Sequence, residues 1–267
     1  MSSDYLLAQG AADVDRLALL NQLYGPPSEA LLIGAGLKPG MRVAEIGCGS
    51  GNMACWLAER VGPNGQVTGV DASEESLEQA RKQAQARRLG NVDLVRGDVN
   101  QLSLPPRSFD LVYCRFVLMH QRQPEKGLSQ MAAVVRSGGV VVCEELDLSR
   151  CFFEPPCPLV QRLMELNVAL GDRQGVHYRL GSRMNTLFQN AGFEQFELSF
   201  FTPAALRGPA KHLLTLSFRE IAAKIVGSGL ATQAEVDEIV RKAERTDSDN
   251  TTLYGMPLMG QGWAHIP

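Results

Sequence analysis

The chain has 267 residues, of which 26 are Lys or Arg and 29 are Asp or Glu, so its formal charge is −3. This weakly acidic balance argues against nucleic acid or an anionic membrane as the main partner. Apolar residues make up 45% of the sequence, which suffices for a globular core, and no apolar run approaches the roughly 18 residues of a membrane-spanning helix.

The start of the sequence and its cysteines indicate the compartment. Met-Ser-Ser-Asp-Tyr lacks the basic and then apolar pattern of a signal peptide. The six cysteines form no Cys-x-x-Cys pair, and most stand in apolar runs, where a free thiol packs as a small hydrophobe. Cys151 and Cys157 have no accompanying His or second Cys pair, so no metal site is predicted. A reduced, cytoplasmic, soluble protein is expected.

Residues 1–36 predict a helical cap. Apolar residues recur at helical spacing from Asp4 to Tyr24, and Gly25-Pro26-Pro27 then ends this first helix. A second helix begins after the N-cap Ser28 and reaches Gly36. Tyr24 is a candidate cofactor contact, although packing against the second helix explains it equally well.

The rest of the chain is organised around Val43 to Gly51, which reads Val-Ala-Glu-Ile-Gly-Cys-Gly-Ser-Gly. The apolar run Arg42 to Ile46 enters this glycine cluster, and the helix-like Met53 to Arg60 follows it. The pattern predicts a buried strand, a tight turn and a helix N-terminus. Glycines let the backbone approach a ligand closely, and the free N–H groups of the helix start would face that ligand.

Two interpretations of this turn compete. A dinucleotide fingerprint requires Gly-x-Gly-x-x-Gly, but the position of the third glycine holds Asn52. The observed spacing is Glu-x-Gly-x-Gly-x-Gly, which begins at Glu45 and resembles the first motif of class I S-adenosylmethionine (SAM) dependent methyltransferases. Glu45 would repel a pyrophosphate and attract the ammonium group of SAM. The resemblance therefore implies a SAM site that includes Glu45 and the turn residues Gly47, Cys48, Gly49, Gly51 and Asn52.

Two further acids follow at the ends of predicted strands. Gln66 to Asp71 is a β-branched run about 20 residues after the glycines, and an Asp there, followed by Ala72, can accept both hydroxyls of a ribose. Asn91 to Gly97 is the third strand, and the Asp98-Val99 that follows resembles the next motif of the same family. In that family the carboxylate accepts from the adenine amino group, and the following N–H reaches a ring nitrogen.

The resemblance extends through the next two strands. Phe109 to Cys114 is the fourth strand, and a helix from Gln123 to Val135 precedes the fifth, Val140 to Glu144. The segment Val-Val-Arg-Ser-Gly-Gly-Val-Val-Val resembles the "R-P-G-G" turn of the family, so the match covers roughly Leu37 to Asp147.

Strands that alternate with helices predict an α/β fold with a doubly wound parallel sheet. The family resemblance implies seven strands in a mostly parallel, Rossmann-like sheet, an antiparallel last strand beside the fifth, and a helical lid. Residues 37–147 would form the SAM-binding core, and residues 148–267 the rest of the sheet with lid helices, within one domain overall. The later elements predicted are the helices Glu74–Leu89, Leu159–Leu170, Gly181–Ala191, Pro209–Val226 and Gln233–Ala243 and the strands Phe193–Phe201 and Leu253–Ile266.

Candidate catalytic residues lie beyond the fourth strand. His120 is the best candidate for a general base, and a packed or hydrogen-bonding histidine is the alternative. His177, in a polar loop, is the second candidate. Arg115, directly after the strand, could meet a carboxylate of SAM or of an acceptor, or form a surface salt bridge.

Three functions remain open. The fourth strand is not followed by the Asn/Asp-Pro-Pro-Tyr motif of enzymes that act on DNA bases or glutamine amides, which favours a small-molecule acceptor such as a secondary metabolite. The first hypothesis is therefore a SAM-dependent methyltransferase that acts on an O, N or C atom of such a molecule and releases S-adenosylhomocysteine. The second is a SAM-binding relative that transfers no methyl group, such as a pericyclase-like or regulatory protein. The third is a nicotinamide-dependent dehydrogenase. A monomer or a homodimer is expected.

Overall fold

A computed structural model describes residues 14–267. The helices are α1 (Val14–Gly34), α2 (Asn52–Val61), α3 (Glu74–Ala86), α4 (Pro124–Val134), α5 (Pro158–Gln174), α6 (Met184–Asn190), α7 (Leu213–Gly227) and α8 (Gln233–Ser248). The strands are β1 (Arg42–Ile46), β2 (Gln66–Asp71), β3 (Val92–Arg96), β4 (Phe109–Arg115), β5 (Val135–Asp147), β6 (Phe152–Glu154), β7 (Glu197–Phe201), β8 (Ala204–Ala205), β9 (Leu253–Gly255) and β10 (Leu258–His265).

Seven of these strands form one sheet in the order β3-β2-β1-β4-β5-β10-β7. Strands β1 to β5 pair in parallel, whereas β10 is antiparallel to both of its neighbours, β5 and β7. The predicted fold class is confirmed, including an antiparallel last strand beside the fifth. Since parallel strands end at the same edge, the carboxyl ends of β1, β2 and β4 meet on one rim of the sheet.

The central strands are buried on both faces, which explains their nearly continuous apolar sequences. Alternate residues enter two cores: Ala44 and Val112 belong to one, and Val43 and Leu111 belong to the other. The first core also contains α4 to α8, and the second contains α2 and α3. This division leaves one rim of the sheet open between the two helical layers.

The N-terminal prediction of two helices is wrong for the described residues. A single helix, α1, runs through Pro26 and Pro27, and the part of the first predicted helix before Val14 lies outside the described residues. Prolines lack the backbone N–H that donates within a helix, but side-chain hydrogen bonds hold this helix on both sides of Pro26 and Pro27. Arg115 donates from Nη2 to Asn21 Oδ1 at 2.9 Å and from Nη1 to Ser28 Oγ at 3.2 Å, on either side of the prolines.

The last predicted strand, Leu253 to Ile266, is two strands. Pro257 lacks the N–H that a continuous ladder needs, and the chain changes partners there. Strand β9 precedes the proline and pairs with β6 and β8 in a small second sheet that the sequence did not predict, while β10 follows it in the main sheet. Strand β6, at Phe152–Glu154, belongs to this unpredicted sheet.

Other boundaries differ by shorter lengths. Strand β5 begins at Val135 rather than Val140, because the Ser-Gly-Gly turn joins the ladder with a shift of register. Strand β7 begins at Glu197 rather than Phe193, whose ring packs against Phe188. All six cysteines are free thiols. Among residues 14–267, every helix is too short or too polar to cross a lipid bilayer.

Candidate active site

A cavity of 660 Å³ opens at the carboxyl rim of the parallel strands, in the size range of small-molecule sites. One end of it, the glycine end, is formed by the turn after β1 and by the ends of β2 and β3. The other end, the helical end, is formed by α1, α5, α7 and the segments after β4 and β5. The residues that line the helical end include Arg16, Leu20, Met119, His120, Leu146, Leu148, Met164, Asn167, Tyr178, Leu213, Leu214, Ser217 and Pro257.

The turn after β1 requires glycine at position 47. Gly47 has φ of 73°, and a Cβ placed there would lie 2.2 Å from Val117 Cγ2. The residue therefore serves both the left-handed turn and the close packing of the segment after β4. Gly51 does not line the cavity; its added Cβ would lie 2.8 Å from Ala80 Cβ, so this glycine lets α2 and α3 approach.

Glu45 lies beneath this turn with a carboxylate oxygen unused by the protein. The residue is 4% exposed, and Oε2 has no hydrogen-bond partner among the described residues. Burial raises the pKa of Glu45 to about 8, and the Arg115 guanidinium opposes that rise. A buried carboxylate oxygen that faces a cavity is costly unless a ligand donates to it.

Asp71 and Asp98 stand at the glycine end as predicted. Asp71 accepts from the Gly49 N–H at 2.8 Å and from the Ser73 N–H at 2.9 Å, so it fixes the turn while it lines the cavity. Burial raises the pKa of Asp71 above its ordinary value. Asp98 is exposed, and its Oδ1 accepts from the Asn100 backbone N–H at 2.8 Å and from Asn100 Nδ2 at 3.1 Å, while no described residue donates to Oδ2.

Tyr24 and Arg115 join α1 to the cavity wall. The Tyr24 hydroxyl donates to the Pro257 carbonyl at 2.8 Å, and the ring meets Phe116 edge to face with centroids 5.3 Å apart. Arg115 lines the cavity and holds α1 through the two bonds described above. Both side chains close the cavity, and the Tyr24 hydroxyl is already bound within the protein.

The segment after β4 is held in a strained conformation. Phe116 has φ of 60°, which is unusual for a bulky residue. The Glu145 carboxylate accepts from the N–H groups of Val117, Leu118 and Met119 at 3.2, 2.7 and 3.1 Å. This fully buried side chain fixes the course of the backbone that leads to His120.

The two candidate histidines differ in position. His120 lines the cavity, and its ring meets Tyr178 edge to face at 5.8 Å. Burial lowers the pKa of His120 to about 3, so the imidazole is neutral at physiological pH. His177 does not line the cavity; its backbone N–H donates to the Met119 carbonyl at 2.7 Å.

The structure thus brings most of the predicted site residues to one cavity. Those that line it are Tyr24, Glu45, Gly47, Cys48, Gly49, Asn52, Asp71, Ala72, Asp98, Val99, Arg115 and His120. Gly51 and His177 lie outside it. Sequence analysis missed most of the helical end, above all Asn167, Tyr178 and Leu213, because only helix packing brings these distant segments together.

The sequence of the core matches a known family. Residues 43–139 match the family described as "Methyltransferase domain". This match identifies a methyltransferase domain of the class I SAM-dependent type in residues 43–139. The demethylmenaquinone methyltransferase of Geobacillus kaustophilus is 39% identical over 109 residues, which are 41% of this chain and 47% of that protein. The chain spans about half the length of the curated relatives it matches.

Solved methyltransferase-fold structures extend the similarity beyond the matched core. One of them is phosphoethanolamine N-methyltransferase 2 of Haemonchus contortus in complex with SAM. The aligned part covers 99% of this chain and 54% of that protein, at 19% identity and a TM-score of 0.56. Another is the [4+2]-cyclase SpnF, whose aligned part covers 99% of this chain and 86% of the cyclase, at 17% identity and a TM-score of 0.55. At these identities the likeness concerns the fold alone, and that fold does not decide the reaction.

Proposed function

We propose that this methyltransferase-family chain binds SAM at the glycine end and transfers its methyl group to a small molecule at the helical end. The observation that carries the proposal is Glu45, a buried carboxylate whose Oε2 has no partner among the described residues, directly beneath the glycine turn. A ligand with an ammonium group would supply the missing donors. A pyrophosphate would add negative charge beside Glu45, which disfavours a nicotinamide dinucleotide.

The chain's own residues divide the binding task. Glu45 would receive the ammonium group, and Asp71, held by the turn itself, would accept from ribose hydroxyls. Asp98 retains a carboxylate oxygen for an adenine amino group, with the Val99 N–H beside it. Arg115 lines the cavity and would balance a carboxylate. When bound, SAM supplies a methyl group on a positively charged sulfur.

The helical end would hold the acceptor. Because methyl transfer depends mainly on alignment and exclusion of water, walls from α1, α5 and α7 can contribute by closing over the two molecules. His120, neutral and at the wall, would accept a hydrogen bond or a proton from the acceptor. The relative from Geobacillus is named for demethylmenaquinone, so molecules of that kind are the first acceptors to screen.

A second candidate function is SAM binding without methyl transfer. It is favoured by one observation: a cyclase has this fold over nearly the whole chain. Under this alternative the glycine end still binds SAM, and the helical end binds a molecule that is not methylated. Turnover of any acceptor with SAM would eliminate it.

The test is a calorimetric titration of the full chain with S-adenosylhomocysteine and, separately, with NAD. We expect micromolar binding of S-adenosylhomocysteine, roughly a tenfold or greater loss in Glu45→Gln, and no binding of NAD. Glu59→Gln, an exposed glutamate of α2, is the matched control and should bind like the parent. Preference for NAD, or unchanged affinity in Glu45→Gln, would refute the proposed site.

His120 has a separate readout. Since it lies at the helical end, His120→Ala should bind S-adenosylhomocysteine like the parent and lose roughly 10²-fold in kcat with an accepted substrate, if it acts in proton transfer. An unchanged kcat would restrict His120 to packing against Tyr178.

A further inference from the structure

Asn167 places an uncommitted amide at the helical end of the cavity. It lies on α5, is 5% exposed, and its side chain makes no hydrogen bond with the residues that the structure describes. Ser217, which also lines this end, differs because its hydroxyl donates to the Leu213 carbonyl at 2.9 Å. An amide that lines a cavity and has no protein hydrogen bond is open to pair with a ligand in that cavity.

The surroundings of α5 connect Asn167 to His120. Met164, Asn167 and Gly171 are spaced by three and four residues and therefore share one helix face. The Tyr178 ring packs against that face, since a Cβ on Gly171 would lie 2.5 Å from Tyr178 Cδ2. The His120 ring also meets Tyr178, edge to face. Asn167, Tyr178 and His120 therefore line the same end of the cavity.

The charge of the helical end limits what can bind there. Most of its lining side chains are apolar, contributed by Leu20, Met164 and Leu213 among others. Its cationic side chain, Arg16, pairs with Glu220 at 3.6 Å, so a phosphate would have to compete with Glu220 for this guanidinium. His120 is neutral at physiological pH because burial, together with the Arg16 charge, lowers its pKa. An ammonium group would meet no Asp or Glu among the described residues that line this end.

We propose that Asn167 is the specificity-determining residue for the acceptor, and that the acceptor is an uncharged, mainly apolar ring compound that presents a hydroxyl or carbonyl oxygen to the Asn167 amide. This inference rests on the proposed function, because it assumes that SAM occupies the glycine end. It excludes phosphorylated and cationic amine acceptors from the helical end.

The test uses three probes with one apolar body: 2-naphthol, 2-naphthyl phosphate and 2-naphthylmethylamine. Each is titrated into the full chain saturated with S-adenosylhomocysteine, and into Asn167→Leu, which removes the amide and nearly keeps its volume. Asn185→Leu, an exposed residue of α6, is the control. We expect 2-naphthol to bind the parent and the control, to lose roughly three- to tenfold affinity in Asn167→Leu, and to bind more tightly than the charged probes.

The outcomes separate this inference from the proposed function. Failure of S-adenosylhomocysteine to bind the parent chain refutes the proposed function. Normal binding of S-adenosylhomocysteine, with either equal affinity of 2-naphthol for parent and Asn167→Leu, stronger binding of a charged probe, or no binding of 2-naphthol, overturns the inference alone.

Thermal unfolding without ligand gives a second measurement. If the Asn167 amide serves a ligand and not the fold, Asn167→Leu should raise Tm by about 2–4 °C. The reason is that an apolar side chain replaces an amide that makes no hydrogen bond with the described residues. A fall in Tm would indicate a structural amide and overturn the inference.

Discussion

Two buried glutamates show how one residue type serves opposite purposes in this molecule. Burial raises the pKa of both Glu45 and Glu145 to about 8. Glu145 uses both carboxylate oxygens on backbone N–H groups, whereas Oε2 of Glu45 is without a partner among the described residues. The first arrangement stabilises the fold, and the second leaves an acceptor for a ligand.

The raised pKa of Glu45 predicts that ligand binding depends on pH. Below pH 8 the free carboxyl is mostly protonated, and it must lose that proton to pair with the ammonium group of S-adenosylhomocysteine. Affinity should therefore rise with pH, by up to about tenfold per unit between pH 6 and pH 8, and then level off. Calorimetry in buffers of different ionisation enthalpy should detect release of nearly one proton at pH 6.

Glu45→Gln supplies the control for this linkage. The variant has no proton to lose at this position, so its weaker affinity should vary little with pH over the same interval. If the parent chain released no proton, the carboxylate would already be ionised before binding, and the pairing with an ammonium group would need another explanation.

At the scale of the element, the segment after β4 depends on Glu145. Glu145→Ala should leave three backbone N–H groups without their acceptor and lower the free energy of unfolding by about 3 kcal/mol or more. Urea denaturation measures the loss. Glu154→Ala, at an exposed position of β6, should change stability by less than about 0.5 kcal/mol.

A small effect of Glu145→Ala would contradict this account, because the strained Phe116 would then be held by other contacts. Glu145→Gln should lie between the parent and the alanine variant. The amide oxygen of the glutamine can still accept from one or two N–H groups. Its NH₂ group is itself a donor and would face a backbone N–H, with which it cannot form a hydrogen bond.

The elements also show where sequence analysis reaches its limit. Strands β1 to β4 and their helices were predicted closely because their patterns are local. The continuity of α1 across its prolines is accompanied by hydrogen bonds from Arg115, which is far away in sequence. Pro257 is a local signal for the break between β9 and β10, but the second sheet that β9 joins is built from segments distant in sequence.

At the scale of the whole molecule, β10 closes the main sheet between β5 and β7 through close backbone packing. A Cβ on Gly260 would lie 1.9 Å from the Gly181 carbonyl oxygen. Gly260→Ala should lower the free energy of unfolding by about 3 kcal/mol, because the atom it meets is backbone that cannot rotate away. Gly227→Ala, in α7 with nothing within 4 Å of the added atom, is the control and should stabilise by about 0.5–1 kcal/mol. Equal stability of both variants in urea would contradict the packing argument.

Sequence analysis also predicted one end of the candidate site better than the other. Most residues predicted for the glycine end line the cavity, since a turn and three strand ends carry it, but Gly51 does not, and Ser50, Ser76 and Arg96 were not predicted. Their roles in SAM binding stay predictions. Tyr24 was placed correctly at the cavity, but its hydroxyl bonds to Pro257, a contact between residues 233 apart. The helical end required knowledge of how α1, α5 and α7 pack, and the sequence patterns of those helices do not encode their mutual positions.

The position of β10 has a consequence for synthesis on the ribosome. Residues 258–265 are made after every other strand, yet they occupy the space between β5 and β7. Until they leave the exit tunnel, β7 lacks the neighbour that it has in the main sheet. The nascent chain can therefore assemble its glycine end early, while β7 joins the main sheet only after translation of residues 258–265.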